Sequence, residues 1–411
     1  MGVRMTTLVT VLAGYFGSQS VPESTRLWVE ALRQHSQRMV LVFDNDPPRE
    51  WPEHWQTDSC ITLVCQRHGE YDFGSYKRGI AAARDAGWLS SASHLLLCND
   101  SVLGPLSPLE PVLQRMQATD HEAWGLTQSD QITPHLQSYF VMLGRQVFEH
   151  PEIQAFFAGI QRQPTRHAVI EAYELGLSRL LLNVGFSLNA WLRAEDCLDP
   201  RNGERMGNPT AFPCAMVHQG VPVIKSKALR DPSANNDELH RTTKLLAQRN
   251  PELWQALWQS TPHRRLWLAA QTVTVLLRSK ERDQLDAWLE WLAVLPHNSC
   301  RLMLSMPFSE PAERVRILNL YRSWIERSQL SIHADDQAQG EKADLIMAIA
   351  SMDSEWLCLG SSGLLHRPAS LLVQLQRAIA QPLCDVWEGE PILVRRSCVL
   401  AAGGLQSLGL N

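Results

Sequence analysis

The stretch Ser93–Pro108, Ser-His-Leu-Leu-Leu-Cys-Asn-Asp-Ser-Val-Leu-Gly-Pro-Leu-Ser-Pro, constrains the fold of this chain more than any other. Its unbroken apolar run, Leu95 to Cys98, sits between polar residues and a Gly-Pro breaker. That is the pattern of a strand buried on both faces of a parallel sheet. Such a strand delivers Asn99, Asp100 and Ser101 to its carboxyl end, the edge at which open α/β sheets bind ligands. A carboxylate there, Asp100, can hold a divalent cation, Mg²⁺ or Mn²⁺, against a diphosphate. The alternative is an Asx-type turn, because Asn and Asp favour turns whatever the function.

The flanking sequence repeats the alternation of strand and helix. Strands are expected at Leu8–Phe16, Met39–Phe43 (ending in Asp44) and Ile61–Cys65, with helices at Glu23–His35 and Ser75–Ala86. This order means crossover units and an α/β fold. A helix at Leu109–Ala118, a strand at 123–127, a strand-like segment at 134–143 and one long helix over 168–192 complete residues 1–236 as a first domain. Residues 237–297 are dense in Trp, Leu, Arg and Glu and read as a helical connector. Residues 298–411 return to strand and helix as a second, smaller α/β domain.

At 411 residues the chain exceeds one ordinary core. With 45% hydrophobic and 20% charged residues it has the composition of a globular protein, and a net charge of −5 gives no basic footprint for nucleic acid. Nine cysteines stand without Cys-x-x-Cys or zinc-type Cys/His spacing, which suits a reducing cytoplasm. Met1–Phe16 lacks a small-x-small cleavage site and reads as a strand rather than a signal peptide. The longest other apolar run, Leu266–Leu277, is shorter than the roughly 20 residues a membrane span needs. The amphipathic segment Arg264–Arg278 could dock at the inner face of a membrane, although internal packing accounts for it as well.

Three further groups of residues could carry chemistry. Tyr71–Gly79 reads as a turn opening a helix, where Gly74 admits a close ligand and Lys77 and Arg78 add positive charge to a helix start suited to anions. His135, Gln137 and Tyr139 share one face of a strand by period two and could meet the hydroxyls of a bound acceptor ligand, with a buried structural network as the alternative. Trp124 could stack on a ligand ring or simply pack in the core.

Taken in order, Tyr-Asp-Phe-Gly-Ser-Tyr-Lys (71–77), Asn-Asp-Ser-Val-Leu-Gly-Pro-Leu (99–106), Trp-Gly-Leu-Thr (124–127), His-Leu-Gln-Ser-Tyr-Phe (135–140), Tyr-Glu-Leu-Gly-Leu-Ser (173–178) and Asn-Pro-Thr (208–210) resemble the rhamnan synthesis protein F family of rhamnosyltransferases. The resemblance spans about residues 8–230. It implies a Rossmann-like glycosyltransferase A-type fold with a mixed, mostly parallel sheet, a nucleotide-sugar donor such as dTDP-rhamnose, and a growing polysaccharide or lipid-linked glycan as acceptor. Asn99-Asp100-Ser101 takes the place of the Asp-x-Asp metal motif of that fold, with one carboxylate only. The resemblance further implies that Asp44 lies near the nucleotide base or ribose, a plain strand-end turn being the alternative. The 173–186 stretch is similar to the acidic helix of family 2 glycosyltransferases, which makes Glu174 the candidate base of an inverting transfer, with Glu171 as substitute. Residues 298–411 resemble a worn, truncated copy of that fold: Gly360-Ser361-Ser362-Gly363 supplies no carboxylate, Asp335 and Asp336 are its only acidic pair, and Gly403-Gly404 follows its last strand. A non-catalytic glycan-binding or assembly subunit is the rival function.

Overall fold

The computed structural model describes residues 7–17, 20–118, 122–198, 203, 205, 207–229, 236–259, 273–278, 289, 300–306, 311–326, 330–334, 349–350, 354, 356–359, 377–378, 381, 386–387, 392–402 and 408. It divides into two compact units, Met1–Asp231 with Leu245–Leu257, and Pro232–Lys244 with Trp258–Asn411.

The first unit is built on an eight-stranded sheet. Its strands are β1 Leu8–Gly14, β2 Arg38–Phe43, β3 Ile61–Cys65, β4 His94–Asn99, β6 Ala123–Ser129, β7 His135–Leu136, β8 Phe140–Gly144 and β9 Leu188–Arg193. They lie in the order β3-β2-β1-β4-β8-β6, and β7 and β9 both pair with β6. β1 to β4 are mutually parallel where they pair, whereas β8 is antiparallel to both β4 and β6. β6 therefore runs in the direction of β4, and the carboxyl ends of β1, β2, β3, β4 and β6 share one edge.

Strands buried on both faces need apolar residues at successive positions, and these strands supply them. Leu8, Leu12, Met39, Leu41, Leu96, Cys98, Phe140 and Met142 pack on one face, with Trp28, Val29 and Leu32 of helix Glu23–Arg33. The intervening Val9, Val11, Val40, Val42, Leu95, Leu97, Val141 and Leu143 pack on the other, with Phe73, Tyr76 and Ala83 of helix Tyr71–Asp85 and Leu177 and Leu181 of helix Gly176–Asn183. The one polar residue inside β1, Thr10, is satisfied by Ser36 Oγ at 2.7 Å. Helix Tyr71–Asp85 approaches closely at Gly79, where a Cβ would fall 2.2 Å from Val11 Cγ1.

A two-stranded ribbon, β5 Val102–Leu103 with β10 Ile224–Lys225, carries a distant segment back to the end of β4. Gly104 permits this, because a Cβ there would fall 2.8 Å from the Pro222 carbonyl oxygen.

Several elements differ from the sequence expectation. The expected helix over 168–192 is a short helix Arg166–Val169, a π turn Ile170–Leu175 and helix Gly176–Asn183, after which Gly185 (φ 90°) ends it and β9 begins. The expected strand over 134–143 is two strands, β7 and β8, separated by Gln137–Tyr139. Helix Tyr71–Asp85 starts four residues before the expected Ser75, so Lys77 and Arg78 lie in its second turn and not at its amino end.

The second unit holds a six-stranded sheet: β11 Val273–Arg278, β12 Cys300–Met306, β13 Leu330–Ala334, β14 Trp356–Leu359, β15 Val386–Trp387 and β16 Leu393–Arg395. Its order, β13-β12-β11-β14-β16-β15, reproduces β3-β2-β1-β4-β8-β6 strand for strand, with the same parallel and antiparallel pairings. The two units thus repeat one topology. β11 lies inside what the sequence suggested was a helical connector, and it overturns that reading at 273–278: Val-Thr-Val-Leu-Leu is a β-branched apolar run, and Val273, Val275 and Leu277 are buried in the sheet core. Asp335, Asp336, Gly360–Gly363, Gly403-Gly404 and most of Arg264–Arg278 lie outside the described residues. Among the described residues no helix is long and apolar enough to cross a membrane.

Candidate functional site

Side chains from five separated segments converge at the carboxyl edge of the first sheet. Asn99, buried at the end of β4, donates from Nδ2 to Asp72 Oδ2 at 2.7 Å, and its Oδ1 accepts from the Ser101 amide (3.1 Å) and hydroxyl (2.6 Å). The Asx turn is therefore present, and it also ties the strand end to Asp72 on helix Tyr71–Asp85. The Asn99 amide donates to the Tyr139 carbonyl at 3.1 Å, which brings the turn before β8 to the same place.

Ser138, in that turn, holds Glu174. Its amide donates to Glu174 Oε2 at 2.9 Å and its hydroxyl donates to the same oxygen. His135 Nε2 lies 3.6 Å from Glu174 Oε1, while His135 Nδ1 donates to the Thr133 carbonyl at 2.7 Å. Burial alone would raise the Glu174 pKa, but the bonds from His135 and Ser138 outweigh it and hold the carboxyl below its ordinary value. For His135, burial works against the charged form, but Glu174, the Thr133 carbonyl and the charge of Asp130 together outweigh it, so its pKa is raised. Glu174 lies in a π turn, a local widening of the helix often found where a side chain must be aimed. The wider turn also separates Glu171 from Glu174, and Glu171 is exposed.

Lys225 enters from β10. Its Nζ donates to Ser101 Oγ at 3.1 Å and sits 4.3 Å from the centre of the Tyr139 ring. Burial lowers its pKa to about 8, against the pull of Asp72 and Glu174. Burial raises the pKa of Asp72, opposed by Lys225 and the Asn99 bond.

The other residues singled out in the sequence are distributed around this edge. Asp100 Oδ2 accepts from the Tyr15 amide at 3.1 Å and lies 3.5 Å from the Thr25 hydroxyl, so it turns towards the face covered by helix Glu23–Arg33. Glu174 lies on the other face, with helix Gly176–Asn183. Asp44 Oδ1 accepts the His68 and Gly69 amides at 2.7 and 3.1 Å and closes the loop after β3. Lys77 donates to the Ile160 carbonyl at 2.8 Å, and Arg78 donates to Glu70 at 2.5 Å and to the Gly74 carbonyl at 2.9 Å. Neither cation is brought to Asp100. Gly74 is inside the helix, where a Cβ would fall 2.3 Å from that of Glu70. Gln137 and Tyr139 join a buried network: the Thr127 hydroxyl donates to Gln137 Oε1 at 2.7 Å and meets the Tyr139 hydroxyl at 2.8 Å, and Gln137 Nε2 donates to Asn208 at 3.3 Å. Trp124 is towards the opposite end of β6, donating to Glu122 at 3.1 Å, with Arg115 5.6 Å from its ring and 5.3 Å from that of Trp191.

Asp72, Ser138, Lys225 and the exposed Tyr15 at the end of β1 were not singled out from the sequence. Asp72 and Ser138 sit inside two of the ordered motifs, which is the signal that could have found them. Lys225 had none.

The donor set is a poor fit to a divalent cation. Asp100 Oδ2 already receives an amide, Asn99 spends its oxygen on Ser101, and an ammonium stands at Ser101. Among the described residues no three His, Cys, Asp or Glu side chains gather as metal ligands.

Solved structures similar to this chain include a glycosyltransferase involved in the glycosylation of the major capsid of PBCV-1 (14% identity, 44% of this chain and 80% of that one, TM-score 0.28). The glycosyltransferase GlyE of Streptococcus pneumoniae TIGR4 is another (10% identity, 91% of this chain and 99% of that one, TM-score 0.32). No curated protein matches the sequence. Residues 55–251, which carry Asp72, Asn99, Ser138, Glu174 and Lys225, match the model of the rhamnan synthesis protein F family.

Proposed function

We propose that the first unit is a glycosyltransferase that moves a sugar, rhamnose from dTDP-rhamnose, onto a growing polysaccharide or lipid-linked glycan with inversion at the anomeric carbon. The single observation that carries this reading is Glu174, ionised and aimed by Ser138 and His135 at the sheet edge where ligands of α/β folds sit, within the family match. In the reaction the acceptor hydroxyl attacks the anomeric carbon and its proton passes to the Glu174 carboxylate. The bond from that carbon to the diphosphate oxygen breaks, and the nucleoside diphosphate leaves with the electron pair. In this reading Asn99, Ser101 and Lys225, gathered at the strand end, bind the leaving group. Asp72, hydrogen-bonded to Asn99, fixes the amide that shapes this turn.

The test is transfer by the purified full chain from a panel of nucleotide sugars to glycan acceptors, read as nucleoside diphosphate released and product mass. Glu174→Gln should lower kcat by about 10²–10⁴. Transfer that survives this substitution removes Glu174 as base. A chain that binds glycan but no nucleotide sugar is instead an assembly subunit.

A further inference from the structure

We propose that the Lys225 ammonium, anchored on Ser101 at the end of β4, carries the positive charge that neutralises the donor's diphosphate, so that donor binding does not require a divalent cation. This rests on the glycosyltransferase reading and extends it to how the leaving group is held.

A diphosphate leaving group needs a cation close to its oxygens as charge develops. The strand end offers one acid, Asp100, turned towards the Tyr15 amide and Thr25. The neighbouring Asn99 directs its nitrogen to Asp72 and its oxygen to Ser101, so neither end is presented for metal coordination. The ammonium of Lys225 lies 3.1 Å from Ser101 Oγ, one residue beyond Asp100. A second positive ion at the same place would be repelled by it. Gly104 and the β5–β10 ribbon place Lys225 there through backbone geometry, and the Tyr139 ring beneath its Nζ favours the charged form. The groups acting on this ammonium are Asp72 from helix Tyr71–Asp85, Glu174 from the π turn, with His135 beyond it, and Arg166 from the short helix before that turn. Asp72 and Glu174 favour the charged ammonium against its burial, and an incoming diphosphate supplies further negative charge. Arg, always charged and able to donate from several N–H groups, can replace the charge but not its titration.

The experiment is calorimetric titration of the full chain with dTDP, UDP and GDP, in EDTA and again with Mg²⁺ or Mn²⁺. The expected result is that at least one nucleotide binds in EDTA within about threefold of its affinity with metal, and that Lys225→Met weakens it by at least roughly tenfold. Lys225→Arg should recover most of the loss. Wild-type affinity in EDTA should fall as the pH rises through about 8, where the free ammonium loses its proton, and that of Lys225→Arg should not. If Lys225→Met does not fold, the contrast in pH profile between wild type and Lys225→Arg decides the matter. Binding only with metal, equal affinity of Lys225→Met in EDTA, or the same pH profile in Lys225→Arg overturns the inference while the glycosyltransferase reading stands. No binding of any nucleotide under either condition removes both.

Discussion

Glu174→Gln tests the site at the point where stability and chemistry meet. The carboxylate takes two hydrogen bonds from Ser138 and faces His135 at 3.6 Å, and its side chain is only 17% exposed. Glutamine has nearly the same shape and keeps an oxygen for the Ser138 amide, so packing is preserved. What is lost is charge. A hydrogen bond to a charged group contributes about 1.5–3 kcal/mol and a neutral one about 0.5–1.5, so two bonds lose about 2 kcal/mol. Relief of a buried carboxylate's desolvation returns part of this, leaving a net cost of about 1–2 kcal/mol. For a unit of this size that lowers Tm by roughly 2–8 °C. The pH dependence has a definite sign. Glu174 has a depressed pKa in the folded state, so its contribution is present above its ordinary value and lost as pH falls through the folded value. His135 has a raised pKa, so its share is present below its ordinary value and lost as pH rises through the folded one. The Tm difference between wild type and Glu174→Gln should therefore be largest in mildly acidic solution, shrink towards pH 8, and shrink again on strong acidification. Thermal unfolding followed by circular dichroism across that range measures it. A glutamine variant as stable as wild type near pH 6, or a gap that widens below pH 4, would refute an ionised Glu174 held by these partners.

Two more substitutions probe the same edge and a third the helix-sheet packing behind it. Asn99→Asp restores a second acid at the strand end but sets it against the Asp72 carboxylate, which now accepts from Asn99 Nδ2 at 2.7 Å; it should cost about 1.5–3 kcal/mol at neutral pH and less as the pair protonates on acidification, measured by urea unfolding at both pH values. Tyr76→Phe removes the bond from the buried tyrosine hydroxyl to the Ser138 carbonyl at 2.8 Å; about 1 kcal/mol of stability should go, and looser Ser138 should lower kcat more than it raises KM, so a change confined to KM counts against Ser138 as the group that aims Glu174. Gly79→Ala should destabilise although alanine is the better helix former by about 1 kcal/mol, because its Cβ would meet Val11 Cγ1 in the sheet core and overpacking costs about 1–3 kcal/mol; a higher Tm in this variant would mean that helix Tyr71–Asp85 can lift off the sheet cheaply.

The fold was legible wherever burial on two faces leaves a continuous apolar run. Leu95–Cys98 and Met39–Phe43 were recognisable for that reason, whereas the half-buried edge strand Ile61–Cys65 showed itself by its short β-rich run. Reading failed where two periods overlap. Leu177 and Leu181 set a helical stripe, and the continuing apolar residues after Gly185 extend it on paper, although a glycine at φ 90° stops the helix and Leu188–Arg193 joins β6. Val273–Arg278 was hidden by flanking tryptophan-rich sequence, and its place became plain only when the second sheet proved to repeat the first, with β11 in the position of β1.

The site divides along the same line. Asn99, Asp100 and Glu174 could be read because each lies within a local pattern, a strand end or an acidic helical turn. Their orientations could not, since one residue of offset on a strand sends the side chain to the opposite face. Asn99 thus goes to Asp72 and Asp100 to Tyr15 and Thr25. Charge on a helix start also misled: with the helix begun at Tyr71, Lys77 and Arg78 reach the Ile160 carbonyl and Glu70. The cation that does reach the strand end, Lys225, lies 124 positions from Ser101 in sequence and arrives through a ribbon of two residues on each strand. Neither composition nor periodicity encodes such a pairing. It depends on a glycine at 104, which allows the Pro222 carbonyl to approach, and on β5 leaving the sheet just after its acidic turn. A bulky residue at 104 should therefore disturb the ammonium at Ser101 without touching any titratable group of the site, which separates its position from its charge.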